Sequence, residues 1–406
     1  MMIETKYRFL LYTCAFLMMG LGSGCCKISN QVDNAFYSAY ETRQAYEDYF
    51  PNDVKKLHED LFIADMHADS LLWRRNLAKE SKCGHVDFPR LIQGNVALQA
   101  FTVVTVFPAI KWAPHITDVL TWKAIFQLEP PRTWFNATER AFYQAEKLHR
   151  YAEASDGQFR IIKSKHDLST YFGDRQKHRK MAAGLLGIEG AHALGGNLSN
   201  VKRFADEGFR MMGPTHFFDN RLGGSAHGPK RRGLTSFGRQ VLVEMEKHHM
   251  LIDLAHASPA MIDDALEMYE QGKLRQPLIV SHTGVIGIAP DERNIRDKHI
   301  RGVARTGGIV CIGYFIPAIN HLHPQAIAET IYYVISLLEK DNLKGVNHVG
   351  LGSDYDGTVK VPFDTRGIAL ITQELLSPKY GLDKQDIRKI MGGNIVDLLM
   401  KVLPEE

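Results

Sequence analysis

His67 and Asp69 stand two residues apart, just past an apolar run over 61–65. In an extended segment both side chains point to one face. An imidazole beside a carboxylate suits a hard-to-borderline cation. The same kind of ending recurs along the chain. Gly187-Ile188-Glu189-Gly190-Ala191-His192 closes the third apolar run and Thr215-His216 the fourth. Asp253-Leu254-Ala255-His256 closes the fifth, Ser281-His282 the sixth, and Gly352-Ser353-Asp354-Tyr355-Asp356-Gly357 the eighth. A single histidine at a strand end is an ordinary structural residue. Burying this many titratable groups together is costly unless a cation offsets them. Ligand counting points to two ions, one on His67 and Asp69, the other on His256 and His282, with the two oxygens of Glu189 bridging. Such pairs usually stand about 3.5–4 Å apart in hydrolases. Thiolates play no part, because only Cys83 and Cys311 lie in the body of the chain. An all-nitrogen-and-oxygen donor set favours zinc, with manganese or cobalt as alternatives.

Strand-like runs cover 61–65, 96–104, 182–188, 209–214, 250–254, 277–280, 308–313 and 348–352. Most are continuous and rich in Ile, Val, Leu and Met, as parallel strands buried on both faces should be. Helical stretches such as 138–153, 238–249, 259–269 and 325–341 alternate with them. Eight strands with intervening helices predict an α/β (β/α)8 barrel, and a doubly wound open sheet is the alternative. A barrel explains the polar strand ends, since its active site forms at the C-terminal face of the strands. The chain has 406 residues, long for one domain, yet it holds no repeat or flexible linker that would divide a barrel. A net charge of +3 gives no electrostatic case for nucleic acid, and the basic spot Lys230-Arg231-Arg232 reads as a solvated loop.

Residues 1–25 read as a secretory signal, with Lys6 and Arg8 ahead of an apolar run over 9–21. Gly22-Ser23-Gly24 before Cys25 resembles a bacterial lipoprotein signal, although Gly22 takes a place the pattern gives to an apolar residue. The expectation is a protein secreted to the cell envelope and lipid-anchored at Cys25. Plain secretion and a retained N-terminal anchor are the alternatives. Residues 26–59 read as a linker with a helix near 35–49, and 60–406 as the barrel.

The motifs Asp65-x-His67-x-Asp69, Glu189-Gly190-x-His192, Thr215-His216, Gly233-Leu234-Thr235-x-Phe237-Gly238, Asp253-Leu254-x-His256, Ser281-His282, Arg293-Asn294 and Gly352-x-Asp354-Tyr355-Asp356-Gly357 occur in order. Together they resemble the membrane (renal) dipeptidase family, peptidase M19, of the amidohydrolase-like superfamily. The likeness runs from about Leu61 to Asn394. It implies one zinc on His67, Asp69 and Glu189 and a second on Glu189, His256 and His282. It further implies that His216 and Arg293 bind substrate, that Asp354 moves a proton, and that Glu189 is part of the catalytic centre. The family's substrate-contacting tyrosine follows the seventh strand, where this chain reads Gly313-Tyr314-Phe315, making Tyr314 the candidate. An insertion over 111–131, with Trp112 and Trp122, is a candidate lid.

The implied reaction is hydrolysis of dipeptides by a hydroxide held between two zinc ions. Related enzymes often form homodimers. A relative acting on N-acyl amino acids or cyclic amides is a rival reading, as is a non-catalytic peptide-binding lipoprotein. Among smaller signals, His85, His227, His248 and His249 read as structural or surface histidines. Asp253 reads as a support for a neighbouring ligand. Asp356 reads as a brace for the Asp354 loop or a turn cap.

Overall fold

The computed structural model describes residues 50–107 and 118–406. The expected signal segment, Cys25, the helix near 35–49, Lys111 and Trp112 lie outside the described residues. Among the described residues nine strands form: β1 Ile63–Ala68, β2 Val96–Val104, β3 Phe159–Ile161, β4 Ala182–Glu189, β5 Phe209–Met212, β6 Leu251–Ile252, β7 Ile279–Thr283, β8 Ile309–Ile312 and β9 Val349–Leu351. Their pairings are parallel. The order is β6-β5-β4-β2-β1-β9-β8-β7. A parallel bridge between Asp253 and Ile279 joins the two ends, and Leu254 N–H donates to the Ile279 carbonyl at 2.7 Å. The sheet is therefore an eight-stranded α/β barrel. The extra strand, β3, pairs only with the start of β4.

Every residue of β2 and of β4 is buried. Strands covered on both faces need apolar side chains in both directions, and the alternation shows where each goes. Ala183 and Leu185 join a cluster with Leu98, Met211, Ile279 and Ile309, whereas Leu186 and Ile188 join the larger cluster between strands and helices. The first cluster draws on strands all round the ring and on Ile395, Leu398 and Leu399 of the last helix, Asn394–Val402. It fills the barrel and is closed at one end by that helix. Gly392 lets the chain approach β1 there, since a Cβ would sit 2.0 Å from the Phe62 carbonyl oxygen. Continuing the two-residue period along β4 puts Glu189 on the inward face at the opposite, open end.

The surrounding helices begin at side-chain caps. Ser258 accepts from Met261 N–H before the helix Pro259–Glu270, and Asn136 from Thr138 and Glu139 N–H before Ala137–Glu153. The helix Asn52–Asp60 packs on the barrel through Val54 and Leu57. Its His58 reaches Thr372 Oγ1 at 2.9 Å and the Gly94 carbonyl at 3.2 Å.

Candidate metal centre

The polar residues converge at the C-terminal ends of six strands. β1 and β7 both break register near these ends, between Asp65 and Ala68 and between Val280 and Thr283. Such irregularities re-aim side chains, and His67 and His282 sit within them. His256 and Asp354 have φ of 60° and 63°. Left-handed backbone is uncommon for non-glycine residues and concentrates where geometry serves function. At Gly190, φ is 82° and a Cβ would crowd His192 and His216 below 3 Å.

Glu189 is the hub. Its Oε1 lies 2.9 Å from His256 Nε2, 3.4 Å from His282 Nε2 and 3.6 Å from His67 Nε2. Its Oε2 lies 3.2 Å from His216 Nε2. His256 and His282 face each other through their Nε2 atoms at 3.0 Å. His67 Nε2 is 3.6 Å from Asp69 and 4.0 Å from Asp354. All these side chains are buried. The sets His67–Asp69–Asp354, Glu189–His216–His256 and His67–Asp253–His282 each bring three donor atoms within 4.8 Å of one another. The five expected ligands thus stand together. His216, Asp354 and Asp253 join them at comparable range, a wider donor set than the sequence reading assigned.

The electrostatics call for a cation. Among the described residues no Lys or Arg comes within 4 Å of Asp69, Glu189 or Asp354; the ionisable groups close to them are imidazoles. Burial raises Glu189 well above the usual carboxylate range, and the Asp69 charge adds to it. Burial likewise lifts Asp354, and with Asp69 opposed by His67 and Arg293 the result is about 8. Burial alone would depress His67, but Glu189 and Asp69 lift it to about 10. The neighbouring carboxylates thus favour positive charge beside His67, which a bound cation would supply. Burial pushes His216, His256 and His282 well below 6.5, leaving neutral imidazoles with lone pairs to donate. Neutral imidazoles and carboxylates gathered away from water, with no Lys or Arg in ion-pair contact among the described residues, are the donor chemistry of a divalent metal centre. The residues therefore fit the implied ions.

Supporting side chains hold this geometry. Thr102 Oγ1 donates to Asp69 Oδ1 at 2.7 Å and stands 3.2 Å from His67 Nε2. Asp253 accepts from the backbone N–H of Ser281 and Ala255, and from Ser281 Oγ at 2.5 Å. Ser281 Oγ also lies 2.9 Å from His282 Nδ1 and 3.2 Å from His67 Nδ1, so one hydroxyl orients two rings. Asp356 accepts from Arg75 Nη2 at 2.5 Å and from His85 N–H at 2.7 Å, and its carbonyl from Trp73 Nε1 at 2.8 Å. Those contacts tie the Asp354 loop to the segment just after Asp69.

Arg293 is buried beside this cluster. Its Nη2 donates to the His282 carbonyl at 2.8 Å. No carboxylate lies within ion-pair distance of its guanidinium among the described residues. Tyr314 has no exposed surface and packs against Tyr355 and Phe363. Burial and the Asp65 charge push its phenol well up. His227 departs from its surface reading. Its ring lies 5.0 Å from Phe217 and 5.7 Å from His256, because Ser225 bridges to Ala257 and folds the loop back over the site.

The membrane dipeptidase model, peptidase family M19, matches residues 52–405. The chain belongs to that family. Among M19 relatives, dipeptidase tcpJ of Claviceps purpurea is 28% identical over 327 residues, covering 79% of this chain and 69% of that one. Dipeptidase aclJ of Aspergillus oryzae is 26% identical over 358 residues, covering 83% and 77%. A metallopeptidase from Rhodobacter sphaeroides, solved with a phosphinate mimic of the dipeptide L-Ala-D-Ala, superposes with a TM-score of 0.66 at 22% identity. That match covers 84% of this chain and 99% of that one. The probable dipeptidase PvdM from Pseudomonas aeruginosa gives 0.69 at 18% identity, covering 87% and 99%. At such identities the structural likeness establishes the barrel fold. Family membership makes this M19 chain a metal-dependent hydrolase of the dipeptidase type.

Proposed function

We propose that the protein is a binuclear zinc dipeptidase that cleaves free dipeptides. The observation that carries this reading is Arg293, a buried cation with no carboxylate within ion-pair distance among the described residues, set beside a cluster of buried carboxylates and imidazoles. A buried charge is retained where something pairs with it. A free substrate carboxylate fits the guanidinium in a bidentate fork. That requirement restricts substrates to short peptides whose C-terminus lies one residue beyond the cleaved bond. The dipeptide mimic bound by the Rhodobacter sphaeroides relative agrees with this size.

His67, Asp69, Glu189, His256 and His282 would hold two zinc ions, with Glu189 shared. When bound, such ions supply a water of lowered pKa and polarise the carbonyl. The protein's own groups do the rest. Arg293 orients the dipeptide by its carboxylate. His216, kept neutral by burial, offers an N–H to the oxygen that gains charge at the scissile carbon. Asp354, with its affinity for a proton raised into the neutral range, accepts one as water adds and passes it to the leaving amine. Hydrolysis of a dipeptide panel, with N-acyl amino acids and cyclic amides alongside, tests the reading. Cleavage of the latter two classes and not of dipeptides would overturn it.

A further inference from the structure

One feature of the mouth has no part in the metal centre. Phe217 packs its ring 4.3 Å from His216, 5.3 Å from His256 and 5.3 Å from Phe107. Phe107 lies 6.4 Å from His216 and leans on an apolar cluster of Leu72, Trp73, Val104 and Leu120. Both phenyl rings are half-buried, unlike the sealed core rings around them. They form an apolar wall on one flank of the cluster.

The barrel order says which part of a substrate meets this wall. Around the ring, β7 and β2 are separated by β8, β9 and β1 on one side and by β6, β5 and β4 on the other. They are diametrically opposed. Arg293 follows β7 and contacts the His282 carbonyl, Phe107 follows β2 on the far side, and Phe217 follows β5 and packs on Phe107 from there. A dipeptide whose carboxylate is held at Arg293 therefore extends its N-terminal residue across the metal cluster towards Phe107 and Phe217. Resting on the dipeptidase reading above, we propose that Phe107 and Phe217 select the N-terminal side chain of the substrate. The substrate class is dipeptides with an apolar N-terminal residue, and acidic N-terminal residues are disfavoured because the two phenyl rings themselves offer a carboxylate no donor or cation.

The test is kcat/KM for L-Leu-L-Ala, Gly-L-Ala and L-Asp-L-Ala, with the mirrored set L-Ala-L-Leu and L-Ala-Gly, on zinc-loaded protein. An apolar pocket typically discriminates by roughly 10- to 200-fold. Wild type should prefer Leu-Ala over Gly-Ala by at least about tenfold, with Asp-Ala slowest. Phe217→Ala should cut the Leu-Ala to Gly-Ala ratio by about tenfold, and Phe107→Ala should move it in the same direction. The Ala-Leu to Ala-Gly ratio should hold. Each ratio is taken within one variant, so a partial loss of folded protein does not distort it. An unchanged Leu-Ala to Gly-Ala ratio in both variants overturns the assignment, and so does a shift confined to the C-terminal series. Wild type that cleaves none of these dipeptides instead overturns the underlying dipeptidase reading.

Discussion

Replacing Arg293 with Ala separates substrate capture from the metal machinery. Of the five guanidinium N–H groups, the structure commits one to the His282 carbonyl. The others remain for a ligand, enough for a two-pronged grip on a carboxylate. The side chain is 7% exposed, so the contact forms away from bulk water and loses little to screening. A charge-assisted bidentate contact of this kind should be worth about 2–4 kcal/mol, or roughly 30- to 1000-fold in kcat/KM. The assay compares a free-acid dipeptide with its C-terminal amide in wild type, Arg293→Ala and Arg293→Lys, with zinc measured in each preparation. The free acid should lose the full factor in Arg293→Ala, while the amide, with no carboxylate to hold, should change little. Arg293→Lys should recover only part, because an ammonium cannot form the planar fork. Equal losses on acid and amide with zinc retained would refute the carboxylate role and leave the buried charge to be explained by its bond to His282.

Asp354→Asn should lower kcat for the acid and the amide alike, by about 100-fold or more, since proton transfer does not depend on the substrate's terminus; a loss limited to KM would remove Asp354 from that role. His58 provides a stability test away from the site. Burial lowers its pKa from 6.5 to about 4. The unfolded chain therefore binds a proton first as pH falls below 6.5, and up to about 3 kcal/mol of stability is lost between pH 6.5 and 4. In denaturant titrations, the stability advantage of wild type over His58→Gln should shrink over that window, and a flat difference would contradict it. We also propose that Cys25 carries a lipid anchor. Cys25→Ser should then release the protein from the membrane fraction or leave its precursor uncut, and unchanged processing and membrane binding would argue against lipidation.

Local sequence pointed to most of the residues that the fold brings together because they sit at the ends of apolar runs. β2 was legible residue for residue, Val96 to Val104, since burial on both faces leaves a nine-residue apolar signal broken only by Gln99 and Thr102. Those two polar residues support the site, Gln99 donating to Asp65 and Thr102 to Asp69, roles that the apolar pattern alone does not carry. β6 is shorter than its apolar run, at Leu251–Ile252, because the Asp253 carboxylate takes the Ala255 and Ser281 backbone N–H groups as the chain leaves the sheet. β3 escaped notice because three residues paired with the start of β4 carry no periodicity. His227 was misread for a nonlocal reason. Its place over His256 depends on the Ser225–Ala257 bridge and on Ala226 N–H donating to the His256 carbonyl at 2.8 Å. Spacing along the chain contains neither contact. Tyr314 packs against Tyr355 and Phe363, contacts between segments distant in sequence that its spacing does not carry either.

The most direct test of the account is a zinc titration of chelator-stripped protein, following hydrolysis of a free dipeptide and metal content together. The carboxylates of Asp69, Glu189 and Asp354, with no Lys or Arg within ion-pair distance among the described residues, predict a nearly inactive stripped protein. Activity should rise with added zinc and level off at about two ions per chain. Full activity in the stripped protein, or a plateau at one ion per chain, would contradict the binuclear centre.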